Sequence, residues 1–239
     1  QVHSPFVFDF IRQVLEDKRM YYAFDTIEEI RTHYLQDTTQ LTYEDPGAGS
    51  HHIRKRIIRA ITQYAARREK HGQLLFRIIQ YYQLKHILEL GTSLGIGTMY
   101  MAMTSTDVRV WTLEGVPAIA ARARNLFAQW PACRIELQEG LFEERLPEVI
   151  TRIPQLDLVV LDGNHRYEPT LIYFKTILPH LHEHSIVILD DIHWSPEMKQ
   201  AWNEIAASPE VRLSIDLYQF GLLFFQTSFK EKQHFRLRY

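Results

Sequence analysis

A doubly wound α/β sheet with a helical N-terminal extension is the fold class this sequence predicts, and three observations predict it. From His86 onward, short apolar runs alternate with amphipathic stretches. One run feeds a glycine-rich turn, and two others end in aspartates. The 239 residues are 46% hydrophobic, enough for one sizeable core or for one core with a small appendage.

The apolar runs are HILEL (86–90), VRVWTLE (108–114), RIELQ (134–138), LDLVVLD (156–162) and SIVILDD (185–191). Amphipathic stretches at 95–103, 117–130, 142–153 and 167–181 separate them. Strand and helix in alternation predict a parallel sheet covered on both faces. A helix follows at 196–207. Then come VRLSIDLYQF (211–220) and GLLFFQTSF (221–229), with no helix between them, which predicts a closing antiparallel hairpin. Residues 1–84 read as helices only, a segment expected to act as a lid and to supply part of a substrate pocket, ahead of the sheet domain at 85–239. Ser4-Pro5 opens a helix through Val14, and Asp25 caps one over Thr26 to Leu35. Ser50 caps a third with Ile53, Ile57, Ile58 and Ile61 at helical spacing, and Leu74, Leu75, Ile78 and Ile79 mark a fourth.

Bulk properties set the class of partner. The formal net charge is −2, so a polyanion is not the expected partner and nucleic acid is not favoured. A single cysteine, Cys133, makes neither an intrachain disulfide nor a cysteine metal site, which fits a cytoplasmic protein. No apolar run approaches a membrane span. The start QVHSPFVFDF lacks the pattern of a signal peptide, and because it opens on Gln1 the natural N-terminus is expected upstream.

The strongest motif is ILELGTSLGIGT, Ile87 to Thr98. A buried strand carrying Glu89 enters a turn in which Gly91 reverses the chain. Gly95 and Gly97 permit close approach of a ligand, and Thr92 and Ser93 donate hydrogen bonds. Glu114 ends the next strand, where an acid accepts from both hydroxyls of a ribose. After the third strand, Gly140, Leu141 and Phe142 offer a place for adenine. In this order, on successive strands, these residues point to a cofactor containing adenosine.

ELGTSLGIGT resembles motif I of class I S-adenosylmethionine-dependent methyltransferases, and Glu114 is similar to their ribose-binding acid. LDGNHRYEPTLIYFKTIL followed by IVILDDIHW resembles the metal-assisted small-molecule O-methyltransferases of the macrocin and novobiocin type, and more distantly the catechol and caffeoyl-CoA type. The resemblance spans roughly residues 85 to 228. It implies a Rossmann-like seven-stranded sheet with the last strand antiparallel, S-adenosylmethionine as cofactor, and a small-molecule hydroxyl as acceptor.

Acceptor-side residues belong at the carboxyl ends of strands four and five, where the sequence reads Asp162-Gly163-Asn164-His165 and Asp190-Asp191-Ile192-His193-Trp194. Asp162 is counted with the cofactor residues as well. In the resembling sugar methyltransferases, the residue two after the first acid is an aspartate general base. Here it is Asn164, so His165 and His193 become the candidates. Asp162, Asp190 and Asp191 form a candidate site for Mg²⁺, since three close carboxylates repel unless a cation lies between them. No Asn/Asp-Pro-Pro-Tyr/Phe motif follows strand four, and no cysteine is placed to attack a pyrimidine; both favour a hydroxyl acceptor.

Two other readings stay open. The glycine spacing is shared by short-chain dehydrogenases that use NAD(P). Those need Tyr-x-x-x-Lys after the turn, and the match here, Tyr81 to Lys85, precedes it. The second is a methyltransferase fold that binds cofactor without catalysis. The tract His180, His182, His184 reads as a solvated turn. The basic stretch from Arg54 to Lys70 reads as a solvated helix face. Asp45-Pro-Gly-Ala-Gly-Ser50 reads equally as a flexible cover or a plain turn. The tail, with Phe229, Phe235 and Tyr239, packs on the core or forms a homodimer contact.

Overall fold

The structure, a computed structural model, describes residues 4–44, 53–64 and 66–239. The chain divides into two compact units. One comprises Gln1–Lys85, Thr92–Val110 and Val116–Leu137; the other comprises His86–Gly91, Trp111–Gly115 and Gln138–Tyr239.

The first unit opens as expected. Helix α1 (Pro5–Phe10) begins at Pro5, and the Ser4 Oγ accepts from the Val7 N–H at 3.5 Å. A π-helical turn, Ile11–Leu15, continues it, and Val7, Phe10 and Val14 are buried. Helix α2 (Tyr22–Gln36) starts ahead of the expected Asp25 cap, and Asp25 falls in its first turn, where a carboxylate suits the helix dipole.

The segment that follows is not wholly helical. Strand β1 (Gln40–Glu44) pairs antiparallel with β2 (Ile53–Ile57), and the helix expected from Ser50 begins only at α3 (Ile58–Tyr64). Ser50 itself, with the whole Asp45–Ser50 segment, lies outside the described residues. The hairpin wins over helical spacing because it places Leu41 and Tyr43 against a cluster of Ile58, Ile61, Leu94, Val116 and Ile119. Arg54, Lys55 and Arg56 therefore lie on a strand, and Arg67 is buried, so the basic stretch is not one helix face.

Helix α4 (Glu69–Tyr82) is the expected fourth helix, with Leu74, Leu75, Ile78 and Ile79 all buried. Phe24 and Ile27 of α2 and Phe76 of α4 form a cluster with Met99 and Tyr100 of α5 (Ile96–Ala102) and Leu126 of α6 (Pro117–Ala128). The Tyr100 hydroxyl donates to Glu28 Oε1 at 2.7 Å.

The second unit is built on a sheet. Its strands are β3 (His86–Leu90), β4 (Arg109–Glu114), β5 (Arg134–Glu139), β6 (Leu156–Leu161), β7 (Leu181–Asp190), β8 (Leu213–Asp216), β9 (Phe220–Phe224) and β10 (Gln233–Arg236). The order is β10-β8-β9-β7-β6-β3-β4-β5. β4 enters this unit at Trp111 and β5 at Gln138. Helices α7 (Phe142–Ile150), α8 (Tyr167–Ile177) and α9 (Pro196–Ala207) complete it. The core joins Leu88, Leu90, Val159, Leu161, Val187 and Leu189 of the sheet to Leu146, Tyr173, Phe174 and Trp202 of the helices.

This is the expected doubly wound α/β fold. The antiparallel strand, β9, lies between β7 and β8. An eighth strand, β10, comes from the tail, with Phe235 in register with Ile215. β7 begins earlier than expected and takes in His182 and His184, which were expected in a turn. The cause is a tie across the sheet: His182 Nε2 lies 3.0 Å from Asp157 Oδ1, and the His86 N–H donates to Asp157 Oδ2 at 2.9 Å.

Candidate active site

Strand direction brings the site together. β3, β6 and β7 are mutually parallel. β9 opposes both β7 and β8, so β8 points the same way as β7, and β10 follows β8. The carboxyl ends of these strands therefore share one edge, the usual ligand edge of an open α/β sheet. Backbone bonds tie that edge across neighbouring strands. Gly91 N–H donates to Leu113 O at 3.0 Å, Gly140 N–H to Glu114 O at 3.0 Å, and Asp162 N–H to Leu90 O at 2.9 Å.

On the β3–β4 side the geometry is set by backbone. Gly91 has φ +103°, and a Cβ there would lie 1.9 Å from the Asp162 carbonyl oxygen. Only glycine fits both the conformation and the contact. Glu89 is 1% exposed and accepts from Thr112 Oγ1 at 2.7 Å. Its carboxylate thus ties β3 to β4 within the sheet. Glu114, at the end of β4, is also buried. Gly140 has φ +137°, Leu141 is partly exposed, and the Phe142 ring packs edge-on to Tyr173, 5.9 Å between centroids.

The rest of the glycine motif belongs to the first unit. Thr92 is buried, and its carbonyl accepts from the Gly95 N–H at 3.0 Å. Ser93 and Gly95 both have positive φ, +51° and +89°, and Gly97 is buried in α5.

On the β6–β7–β8 side the geometry is set by side chains. His165 Nε2 lies 3.7 Å from Asp162 Oδ1 and 3.6 Å from Asp191 Oδ2, so the imidazole stands between two carboxylates from different strand ends. Asn164 is left-handed, φ +54°. Its Nδ2 donates to the Tyr173 hydroxyl at 3.0 Å, and its Oδ1 accepts from Arg166 Nε at 3.0 Å. The Tyr173 hydroxyl in turn donates to Glu143 Oε1 at 2.5 Å. Burial, followed by that bond, pushes the Tyr173 phenol well above its ordinary value. Asn164 thus shapes the turn that presents His165.

His193 is held differently. Its Nε2 lies 2.9 Å from Asp216 Oδ2, and its ring stacks on Tyr218 at 5.1 Å and 17°. Asp216 is 1% exposed. Burial alone would raise its carboxyl, but the Tyr218 N–H, His193 and Arg236 all donate to it and hold it below the ordinary 3.8.

Asp190 and Asp191 are joined by a residue the sequence reading did not single out. Gln219 Nε2 donates to Asp190 Oδ1 at 2.7 Å and to Asp191 Oδ1 at 2.5 Å. Among the described residues, no group of three or more His, Cys, Asp or Glu side chains is arranged to hold a metal ion. Asp190 Oδ1 and Asp191 Oδ1, two of the oxygens expected to hold Mg²⁺, face the Gln219 amide nitrogen instead. Asp216, Tyr218 and Gln219 were missed at the sequence level. The available signal was Asp216 itself, an acid closing an apolar run as Asp162 and Asp190 do.

Residues 88–192 match the family model described as a methyltransferase domain. A Podospora anserina methyltransferase bound to S-adenosylhomocysteine superposes with a TM-score of 0.63 at 17% identity, covering 95% of this chain and 98% of that one. An O-methyltransferase of Bacillus cereus in complex with the same ligand gives 0.60 at 18%, covering 91% and 95%. The Streptomyces achromogenes O-methyltransferase TomG, involved in tomaymycin synthesis and solved with S-adenosylmethionine, gives 0.60 at 16%, covering 92% and 96%. In sequence, the uncharacterized protein R132 of Acanthamoeba polyphaga mimivirus is 24% identical over 132 residues, half of this chain. The match spans 58% of that relative's length. Among the described residues no helix is long and apolar enough to cross a membrane.

Proposed function

We propose that this protein, whose residues 88–192 match a methyltransferase-domain model, transfers the methyl of S-adenosylmethionine to the hydroxyl of a small molecule, with His165 as the general base. The observation that carries this reading is the imidazole of His165, set between Asp162 and Asp191 at the carboxyl ends of β6 and β7.

The residues present fit the cofactor. Glu114 offers a carboxylate at the end of β4 for the ribose hydroxyls, and Gly91 and Gly140 turn the backbone at the same edge with positive φ. Leu141 offers an apolar surface beside them. S-adenosylmethionine, when bound, supplies an electrophilic methyl on a sulfonium. Displacement at that carbon is in-line, so the protein's part is to hold the acceptor oxygen and to take its proton. His165 Nε2 lies beyond hydrogen-bond length from either carboxylate, which leaves the nitrogen able to accept. The positive charge it gains faces both acids. His193 is the weaker candidate because its Nε2 is bonded to a buried carboxylate. Divalent-metal assistance, which the O-methyltransferase resemblance implies, does not fit these acids as they stand, and no step here depends on it.

The test is a transfer assay with methyl-labelled cofactor and pools of hydroxyl compounds. His165→Gln should lower kcat by about 100- to 10,000-fold, the usual worth of general-base catalysis, with cofactor affinity unchanged. Label that never reaches oxygen, or a His165→Gln variant with full kcat, contradicts the proposal.

A further inference from the structure

We propose that Gln219 takes the place of a divalent cation at the acceptor edge, so that this chain holds Asp190 and Asp191 together with an amide and works without bound metal. The inference builds on the acceptor edge assigned above.

Asp190 and Asp191 are consecutive carboxylates, and Asp190 is buried. Like charges that close are costly unless hydrogen-bond donors or a cation answer them. Donors answer them here. The Asp191 N–H donates to Asp190 Oδ1 at 2.7 Å. The Gln219 amide nitrogen carries two hydrogens and places one on each carboxylate, at 2.7 and 2.5 Å. The opposite assignment of that amide would set its oxygen against two anions, so the nitrogen is the atom that faces them. A bridging Mg²⁺ needs those same oxygens at about 2.0–2.1 Å. The amide nitrogen already occupies the point between them. His165 Nε2 lies 3.6 Å from Asp191 Oδ2 and 3.7 Å from Asp162 Oδ1, too far to bond either.

Gln219 is placed by the sheet. Phe220, its neighbour, is the register partner of Asp190 across the β7–β9 pair. The β8–β9 turn is closed by bonds from Leu217 N–H to Phe220 O at 2.8 Å and from Gln219 N–H to Leu217 O at 3.0 Å. Asp216 Oδ1 accepts from the Tyr218 N–H at 2.8 Å, and Tyr218 has φ +72°. The amide is thus delivered by a tight turn anchored on the strand next to the acids.

The test uses the full chain and Mn²⁺ as a paramagnetic probe, read by electron paramagnetic resonance with and without S-adenosylhomocysteine. Wild type should show no bound Mn²⁺ up to a free concentration on the order of 1 mM, the weak end of carboxylate sites. Gln219→Glu, nearly isosteric, replaces the donor by a third carboxylate and should bind Mn²⁺ at least tenfold more tightly than wild type. Tight Mn²⁺ binding to wild type that Asp191→Asn abolishes overturns the proposal. So does a Gln219→Glu variant that folds and binds no more metal than wild type. These readouts need no methyl transfer, so they stand even if the hydroxyl acceptor is wrong. EDTA added to active wild type should leave kcat unchanged; loss of activity restored by Mg²⁺ counts against the proposal.

Discussion

The two sides of the ligand edge are built on different principles. Around β3 and β4, Gly91 is pressed against the Asp162 carbonyl and Glu89 is locked into the sheet by Thr112. Around β6, β7 and β8, the positions are set by side chains that reach across strand ends: His165 between two acids, Gln219 across two acids, His193 on Asp216. The difference teaches where such a domain can change. A side built from backbone approach tolerates almost no substitution, while a side built from side chains can be refitted to a new acceptor one residue at a time.

The largest effect should come from the rigid side. Gly91→Ala adds a Cβ at positive φ and 1.9 Å from a carbonyl oxygen. It should destabilise by more than about 3 kcal/mol or abolish folding, read as the urea midpoint. A midpoint unchanged from wild type would show that the two sides are equally pliant.

An intermediate effect is expected at Asp216→Asn, which leaves His193 without its buried anion. It should cost about 2 kcal/mol at pH 7, the scale of hydrogen bonds to a charged group. The pH dependence has a definite sign. The Asp216 carboxyl is held below 3.8, so its contribution is complete above that value and is lost as pH falls through the lower folded value. Wild type and variant should therefore converge in stability once the pH has fallen through that lowered value. A gap that persists in acid would assign the effect to packing instead.

How much of this was legible in the sequence differs between the same regions. The β3 strand and its glycine turn were legible because each local preference, the apolar run, the reversal and the helix, agrees with the fold. The helix at Pro196–Ala207 was legible at both of its bounds, and in the structure the Ser195 hydroxyl caps it by accepting from the Met198 N–H. The β1–β2 hairpin was not, because Ile53, Ile57, Ile58 and Ile61 also satisfy helical spacing and only long-range burial of Leu41 and Tyr43 decides against it. Gln219 was illegible for a related reason. A turn glutamine carries no local signal for two acids nearly thirty residues away. The candidate metal acids were readable as a cluster, but what neutralises them depends on side chains from other strands.

The smallest effect should come from the adaptable side. Trp194 is 74% exposed, like Tyr218, and follows His193 on the acceptor edge. Trp194→Ala should change stability by no more than about 0.5 kcal/mol, while raising KM for the proposed hydroxyl acceptor with cofactor affinity intact. A large loss of stability would mean that this side is as rigid as the other.

The proposed hold of Glu114 on S-adenosylmethionine can be read by calorimetry with S-adenosylhomocysteine on wild type and Glu114→Ala. Wild type should show one site, and the variant should bind at least tenfold more weakly, equivalent to the roughly 1.5–3 kcal/mol of a charged hydrogen bond. Absence of binding to folded wild type, tight binding of NADP in its place, or equal affinity in the variant would contradict it.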